Sequence, residues 1–552
     1  MATAGGAPVV YDDAVVWIAG DTIAAVQDAD QPAPPKFEDI DPLDTGGTIY
    51  PGFIDLHNHL AYNVLPLWPV PAPYTNRDRW KDEPTYDQRV KRPMSVLRDH
   101  PETLPAICRY VECKALFGGT TTTQGIRLAR ANKLSSYYRG IVRNVEMPDD
   151  RRLPRGESRM ADVAAKDVHK FVQTLERFDG AHAAYLLHLS EGWDDAAHAH
   201  FLALDLGDGE WAIDRALAGI HCVGLHGPDF EILRAHEGSM VWSPFSNLLL
   251  YGQTANLEAA RAAKLRIALG CDWSPSGSKN LLAELKVASL VARQHDGLFS
   301  DRELVAMVTS GAAEILRWSD RLGTVEAGKL ADLTVLANLD ADPYRNVLVA
   351  TERDVRLVAI GGVPRYGTLA LMHALVPASR DVETTLIAGQ PRMIDLASAD
   401  PRVPKIRFTE AQAILCDALD RLPELERART PAYRAAGPAA GWTLALDETE
   451  STGLTQRALA PTTATPPIAR AAARLPTIAM TLDPPTVVDD PGFCDAIARE
   501  PNLPGYVIDG LTELYAPRDR APHEPASDFR HTTGSRIASH VPAGALDQPP
   551  GE

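Results

Sequence analysis

The chain has 552 residues, 45% of them hydrophobic and 23% charged, an ordinary globular composition in a length that favours more than one domain and a large core. Its formal net charge of −18, from 73 acidic and 55 basic residues, argues against nucleic acid and against an anionic membrane as partners. No apolar stretch is long enough to span a bilayer, the N-terminus lacks the basic region and apolar core of a signal peptide, and the six cysteines form no Cys-x-x-Cys, so a reducing, cytoplasmic location is expected.

In chain order, Val9 to Val26 alternates apolar and polar residues around Gly20-Asp21 and predicts short antiparallel strands. Pro51-Gly-Phe-Ile-Asp-Leu-His-Asn-His59 is the most informative segment. An extended chain sends residues i and i+2 to one face, so His57 and His59 project together and can grip one metal ion. His198 and His200 have the same spacing but sit in a helical pattern, where i and i+2 diverge; a solvated surface pair is expected. The insertion from Leu60 to Pro105 carries Tyr62, Trp68, Tyr74, Trp80 and Tyr86 among several prolines. These rings suit the wall of a pocket for a flat heterocycle or, equally, the pinning of a long loop.

Further strand candidates end near Gln124, Val145, His188, Leu225, Ser243 and Asp272, each an apolar run that stops at or close to a polar or imidazole side chain. With the strand ending at His59 that makes seven, one short of a closed parallel barrel; Ser158 to Phe178 reads as helix and supplies no eighth. Chemistry placed where parallel strands end is the hallmark of α/β barrels. Ala331 to Leu336 and Val355 to Ile360 are again β, the latter followed by Gly361-Gly362. Thr409 to Arg429 predicts a helix with Thr409 as N-cap. Thr430 to Pro476 is rich in Ala, Pro and Thr and is expected to be partly disordered, Asp489 to Pro517 to dock on the body, and the tail after Arg518 to be disordered.

Several segments together resemble the metal-dependent amidohydrolase superfamily, in the branch of cytosine deaminase, guanine deaminase and the atrazine- and melamine-type hydrolases. They are the His57/His59 segment, Gly118-Gly-Thr-Thr-Thr-Thr123, His188-Leu-Ser-Glu191, His221-Cys222, Ser243-Pro-Phe-Ser-Asn247, Ala268-Leu-Gly-Cys-Asp272 and Gly323 to Leu333, in the family's order over roughly residues 10 to 370. The resemblance implies a (β/α)8 TIM-like barrel at residues 51–324. It also implies a small discontinuous β-sandwich from residues 1–50 and 325–400. Residues 401–552 have no counterpart and form a C-terminal extension.

The resemblance further implies a metal set of His57, His59, His188 and Asp272. Three nitrogens and a carboxylate suit one divalent ion, zinc first and iron or manganese next. Glu191 would shuttle the proton of a metal-activated water, His221 would hold that water or polarise the substrate, and Asp272 would serve in catalysis as well as ligation. Dinuclear relatives bridge two metals with a carbamylated strand lysine, and Gly140 to Val145 has no lysine, which favours one ion. The expected activity is hydrolysis of a non-peptide C–N bond, foremost deamination of a small heterocycle. Amide hydrolysis on the same site is the alternative, and a catalytically silent metal-binding protein with a partner-binding extension is the alternative of another class. A homo-oligomer is compatible with all three. For Ser243 to Asn247, loop-ordering and substrate-contacting roles stand level; for Lys279, a helix-start loop is favoured over a substrate anion.

Overall fold

The computed structural model describes residues 2–3, 8–130, 135–176, 182–397, 400–428, 441–447, 475–517 and 535–540. Its centre is a set of eight parallel strands: β1 (Phe53–Ile54), β2 (Thr120–Thr123), β3 (Arg143–Asn144), β4 (Arg155–Arg159), β5 (His182–Leu189), β6 (Leu217–His221), β7 (Ser239–Trp242) and β8 (Arg266–Leu269). They pair in sequence order. The two ladders are joined where Gly156 N–H donates to Val145 C=O at 2.9 Å. The ring closes where Asp272 N–H donates to His57 C=O at 2.8 Å, beside a parallel bridge of Asn58 and Asp272. The strands β2, β6 and β7 are buried along their whole length, and β-branched or large apolar side chains dominate there, as parallel strands covered on both faces require.

The eighth strand is β4, inside a stretch where the sequence predicts only a loop and a helix starting at Ser158. The helix begins at Val168 instead, after a 3₁₀ turn. The reason for the difference is compositional. β4 reads Arg-Gly-Glu-Ser-Arg, with exposed or half-buried side chains and a register shift against β5, so it has none of the apolar patterning that marks its neighbours.

Two further sheets pack together through Val16, Ile18 and Ile23 on one side and Leu333, Val335 and Leu357 on the other. The larger has six strands, among them Gly47–Pro51 pairing antiparallel with Leu333–Ala337, and Val355–Ile360 beside it. The smaller holds the hairpin Ala14–Ala19/Thr22–Asp28 that the alternation predicts, with Gly20 at φ 62° in its turn. Ser535–His540 is its third strand, parallel to Ala14–Ala19. Part of the tail expected to be disordered is therefore ordered β; the rest of it, and most of Thr430 to Pro476, lies outside the described residues.

The C-terminal helix breaks into Phe408–Asp420 and Leu422–Ala428, and Thr409 is not its cap. The Glu383 carboxylate takes that role from another strand, accepting from the N–H groups of Phe408 (2.7 Å) and Thr409 (3.0 Å). The helices Phe493–Ala498 and Gly505–Tyr515 dock as expected, burying Phe493, Ile497, Val507 and Leu511. They pack beside the aromatic insertion, where Val70 N–H donates to Glu500 (3.0 Å) and Asn502 donates to Leu249 C=O (2.8 Å). Among the described residues no helix is long and apolar enough to cross a membrane.

Candidate metal centre

The chain from Asp55 to His59 leaves the regular ladder yet is pinned on both sides. Asp55 N–H donates to Thr122 C=O (2.9 Å), Asn58 N–H to the Gln124 side chain (2.8 Å) and His59 N–H to Asp272 C=O (2.7 Å). The buried Asp55 carboxylate accepts from His57 N, Cys271 N and Asn58 Nδ2, tying the first strand to the last. Gly270 is obligatory beside it: a Cβ there would lie 2.3 Å from His57 Cβ. The result is a rigid seat that turns both imidazoles to the same point.

At that point four side chains converge. His57 Nε2 lies 3.3 Å from His59 Nε2, 3.2 Å from His188 Nε2 and 3.5 Å from Asp272 Oδ1, and His59 Nε2 lies 3.3 Å from Asp272 Oδ1. A tetrahedral ion with arms of ~2.0–2.2 Å has ligand–ligand edges of about 3.3–3.6 Å, and these four separations are of that size. The far nitrogens are committed in the way such ligands need. His57 Nδ1 faces Ser243 Oγ at 2.8 Å, and His188 Nδ1–H donates to Arg159 C=O at 3.2 Å. His59 Nδ1 lies 2.9 Å from Asp447 Oδ2. These partners leave the Nε2 lone pairs for a cation.

Electrostatics agree. Burial drives the His57 and His188 imidazoles well below the usual range, reinforced by the neighbouring histidines, so both are neutral. Burial also lowers His59, but the carboxylates of Asp447, Asp272 and Glu191 outweigh it and bring its pKa to about 9, so with no cation bound it carries a proton that a metal ion would displace. Burial raises Asp272, against the pull of His59 and His221 and the hydrogen bond from Ser246, whose Oγ donates to Oδ2 at 2.5 Å.

Beside this set stand Glu191 and His221. His221 Nδ1–H donates to Asn247 Oδ1 at 2.9 Å, and its Nε2 lies 3.8 Å from Glu191 Oε1. Tyr251 O–H donates to Glu191 Oε1 at 2.6 Å, and Arg77 lies 3.6 Å from Oε2. Trp80 Nε1–H in turn donates to the Tyr251 hydroxyl at 2.8 Å. Ser190, His221, Cys222 and Asp272 all hold positive φ (49–69°) at the strand ends, a clustering of backbone strain that functional sites show.

Several sequence expectations are refined here. Ser243 to Asn247 orders the site through three contacts: Ser243 on His57, Ser246 on Asp272 and Asn247 on His221. The aromatic insertion packs Trp68, Trp80 and Tyr86 into one cluster with Trp273 and reaches Glu191 through Trp80 and Tyr251. Lys279 is buried against Asp483 and Asp490, away from any substrate role. His198 is half-buried and paired with Asp229 (2.9 Å), rather than solvated; His200, also half-buried, lies 3.6 Å from Asp162. Tyr251, Arg77 and Asp447 carry no sequence signal that singles them out: the tyrosine ends an apolar helix, and the aspartate lies in the Ala/Pro/Thr-rich stretch.

A histidine pair just past the first strand, a histidine on the fifth and an aspartate past the eighth define the class: an α/β protein with a cluster of side chains able to hold a metal at the carboxyl ends of its parallel strands. Residues 181–365 match the Amidohydrolase family. It is similar to the 5-methylthioadenosine/S-adenosylhomocysteine deaminase of Desulforudis audaxviator, 30% identical over 22% of this chain and 29% of that one. The corresponding deaminase of Moorella thermoacetica is 24% identical over 53% and 74%. The S-triazine hydrolase of Gordonia rubripertincta is 27% identical over 22% and 27%. The chain thus spans less than a third of the length of the first relatives it matches. Among solved structures, a triazine hydrolase variant aligns with a TM-score of 0.48 at 19% identity, covering 65% of this chain and 93% of that one. Guanine deaminase of E. coli aligns at 0.47 and 18%, covering 63% and 91%.

Proposed function

We propose that this protein is a metal-dependent aminohydrolase of a small heterocycle, built on a (β/α)8 barrel with a discontinuous β-sandwich and a C-terminal extension. The observation that carries the reading is the run of 3.2–3.5 Å separations by which His57 meets His59, His188 and Asp272, and His59 meets Asp272, with Glu191 and His221 beside them. The deaminase and triazine hydrolase relatives support the choice of heterocyclic C–N chemistry. One zinc ion fits the three nitrogens and one carboxylate, and no lysine stands in β3 or β4 to bridge a second.

A divalent ion there would act as Lewis acid, bringing the pKa of water to about 7. The rest falls to the protein. Ser246 holds Oδ2 of Asp272 and fixes the carboxylate's rotation, so Oδ1 would be free to hold the ion. Glu191 is buried, accepts from the Tyr251 hydroxyl and lies beside Arg77, so it is placed to take a proton from the attacking water and deliver it to the departing nitrogen. His221 turns Nε2 toward the same space, where it steadies charge developing on the substrate. The aromatic cluster behind Trp80 keeps bulk water from Glu191.

The test combines metal analysis with ammonia release over a panel of aminopurines, aminopyrimidines and aminotriazines. One equivalent of zinc-type metal, and ammonia from at least one ring that Glu191→Gln fails to release, is the expected result. A metal-replete protein that opens cyclic amides but frees no ammonia from any amino ring would overturn it.

A further inference from the structure

An opening beside His59 and His188 is walled by a piece of the C-terminal extension. Residues 441–447 lie across the mouth of the ring, held by contacts independent of the metal set. Thr443–Leu444 adds a strand to Arg127–Ala129, and Ala445 N–H donates to Arg127 C=O at 2.9 Å. Leu444 is buried, and Trp442 sits within cation–π distance of both Arg130 (5.5 Å) and Arg402 (5.3 Å). Asp447 N–H donates to the Tyr62 hydroxyl at 3.1 Å, which sets its side chain toward His59. Its Oδ2 reaches His59 Nδ1 at 2.9 Å and meets no conventionally aligned hydrogen-bond donor. The cavity between this strap and the metal set is about 60 Å³, room for a few waters. Pockets for drug-sized ligands run to about 300–1,000 Å³.

We infer that the C-terminal extension completes the active site: the 441–447 strap delivers Asp447 as the positioning carboxylate of ligand His59 and closes the mouth over the metal set. Three of the four ligands take their orienting partner from the ring itself: Ser243 for His57, Arg159 C=O for His188 and Ser246 for Asp272. His59 alone takes its partner from sequence almost 400 residues away. A carboxylate behind an imidazole fixes the ring and raises its basicity, and its loss commonly costs about 10–100-fold in metal affinity. The strap also borders the opening beside the metal set, so it shapes entry as well as ligation.

This inference rests on the metal-centre reading above, and the experiment separates the two. Full-length wild type, Asp447→Ala, Asp447→Glu and Leu444→Lys are loaded with zinc, checked for native circular dichroism, and challenged with a chelator while zinc release is followed. Wild type should hold one equivalent. Asp447→Ala should weaken zinc binding about 10–100-fold, Asp447→Glu should recover most of the loss, and Leu444→Lys, which unseats the strap, should match Asp447→Ala. Asp447→Ala within twofold of wild type overturns the inference and leaves the metal centre standing. A wild type that holds no zinc overturns both. If Leu444→Lys does not fold, the Asp447 pair decides alone.

Discussion

The extension is clamped to the ring by one buried acid, and removing that acid gives a prediction with a definite size. Asp483 is 1% exposed and pairs through Oδ2 with Lys114 Nζ (2.5 Å) and through Oδ1 with Lys279. Its own backbone donates to Val64 C=O and accepts from the Tyr110 hydroxyl, so the carboxylate cannot drift away. In Asp483→Asn, Lys279 keeps Asp490 at 3.2 Å, but Lys114 loses its carboxylate and is left with neutral acceptors such as the Asn63 carbonyl (2.6 Å) and the Ser274 hydroxyl (3.2 Å). Stranding one buried charge costs about 3–5 kcal/mol, a large share of the roughly 5–15 kcal/mol that keeps a protein folded. Lys114→Met in the same chain removes the stranded ammonium and should restore at least half of the loss. Urea unfolding followed by circular dichroism reads both.

The pH dependence carries a second signature. Burial lowers Lys114 to about 8 despite Asp483, whereas a lysine in the unfolded chain stays near ~10.4. Between those values the unfolded chain holds the extra proton, so the contribution of Lys114 to stability grows as pH rises. Without Asp483 the folded-state value falls further, and the variant's deficit should narrow from pH 7 to pH 10. Asp483→Asn within about 1 kcal/mol of wild type, or a deficit that does not change with pH, would refute the reasoning.

Other expectations follow from single contacts. Glu191→Gln should lower kcat about 10²–10⁴-fold with metal retained, and Tyr251→Phe, which removes one hydrogen bond to that carboxylate, about 10–100-fold; steady-state kinetics on zinc-loaded protein checks both. Gly270→Ala should drive a methyl into His57 and cost about 1–3 kcal/mol along with much of the bound metal, measured by thermal unfolding and metal analysis. Burial raises Glu112 to about 7, partly offset by the Val142 N–H. Its contribution to stability is therefore fully present below about pH 4.3 and lost as pH rises through 7. Glu112→Gln should flatten the stability profile between pH 5 and 8 by an amount on the order of 3 kcal/mol; identical profiles would count against a protonated Glu112.

What could be read in the sequence was whatever has a local pattern. His57 and His59 declare themselves by spacing, His188, His221 and Asp272 by ending apolar runs, and the hairpin of Ala14 to Asp28 by alternation. β4 could not be read, because two neighbours rather than its own side chains hold it in place. Nor could the capping of Phe408, since the acid that does it, Glu383, stands 25 residues away in another sheet. Asp447 is the extreme case: Trp442, Leu444 and Leu446 alternate ahead of it, but nothing in that short run names its partner, and only the pairing of Thr443–Leu444 with Leu128 and Ala129 brings Asp447 to His59. Trp80 was legible as an aromatic in a long insertion, but its use, bracing Tyr251 against Glu191, depends on a helix 171 residues later.

The strand Ser535–His540 lies between Ala14–Ala19 and Leu43–Asp44, and Thr45 donates to the carbonyl of Ser535, 490 residues on. A ribosome adding ~5–20 residues per second needs about 25–100 s to cover that distance. For all of that interval the nascent hairpin holds a strand of Val-Val-Trp-Ile with one edge unpaired, a surface on which other chains readily template. The protein thus has a long window of vulnerability written into its topology, during which a chaperone, or a provisional strand from elsewhere in the chain, has to stand in for residues not yet made.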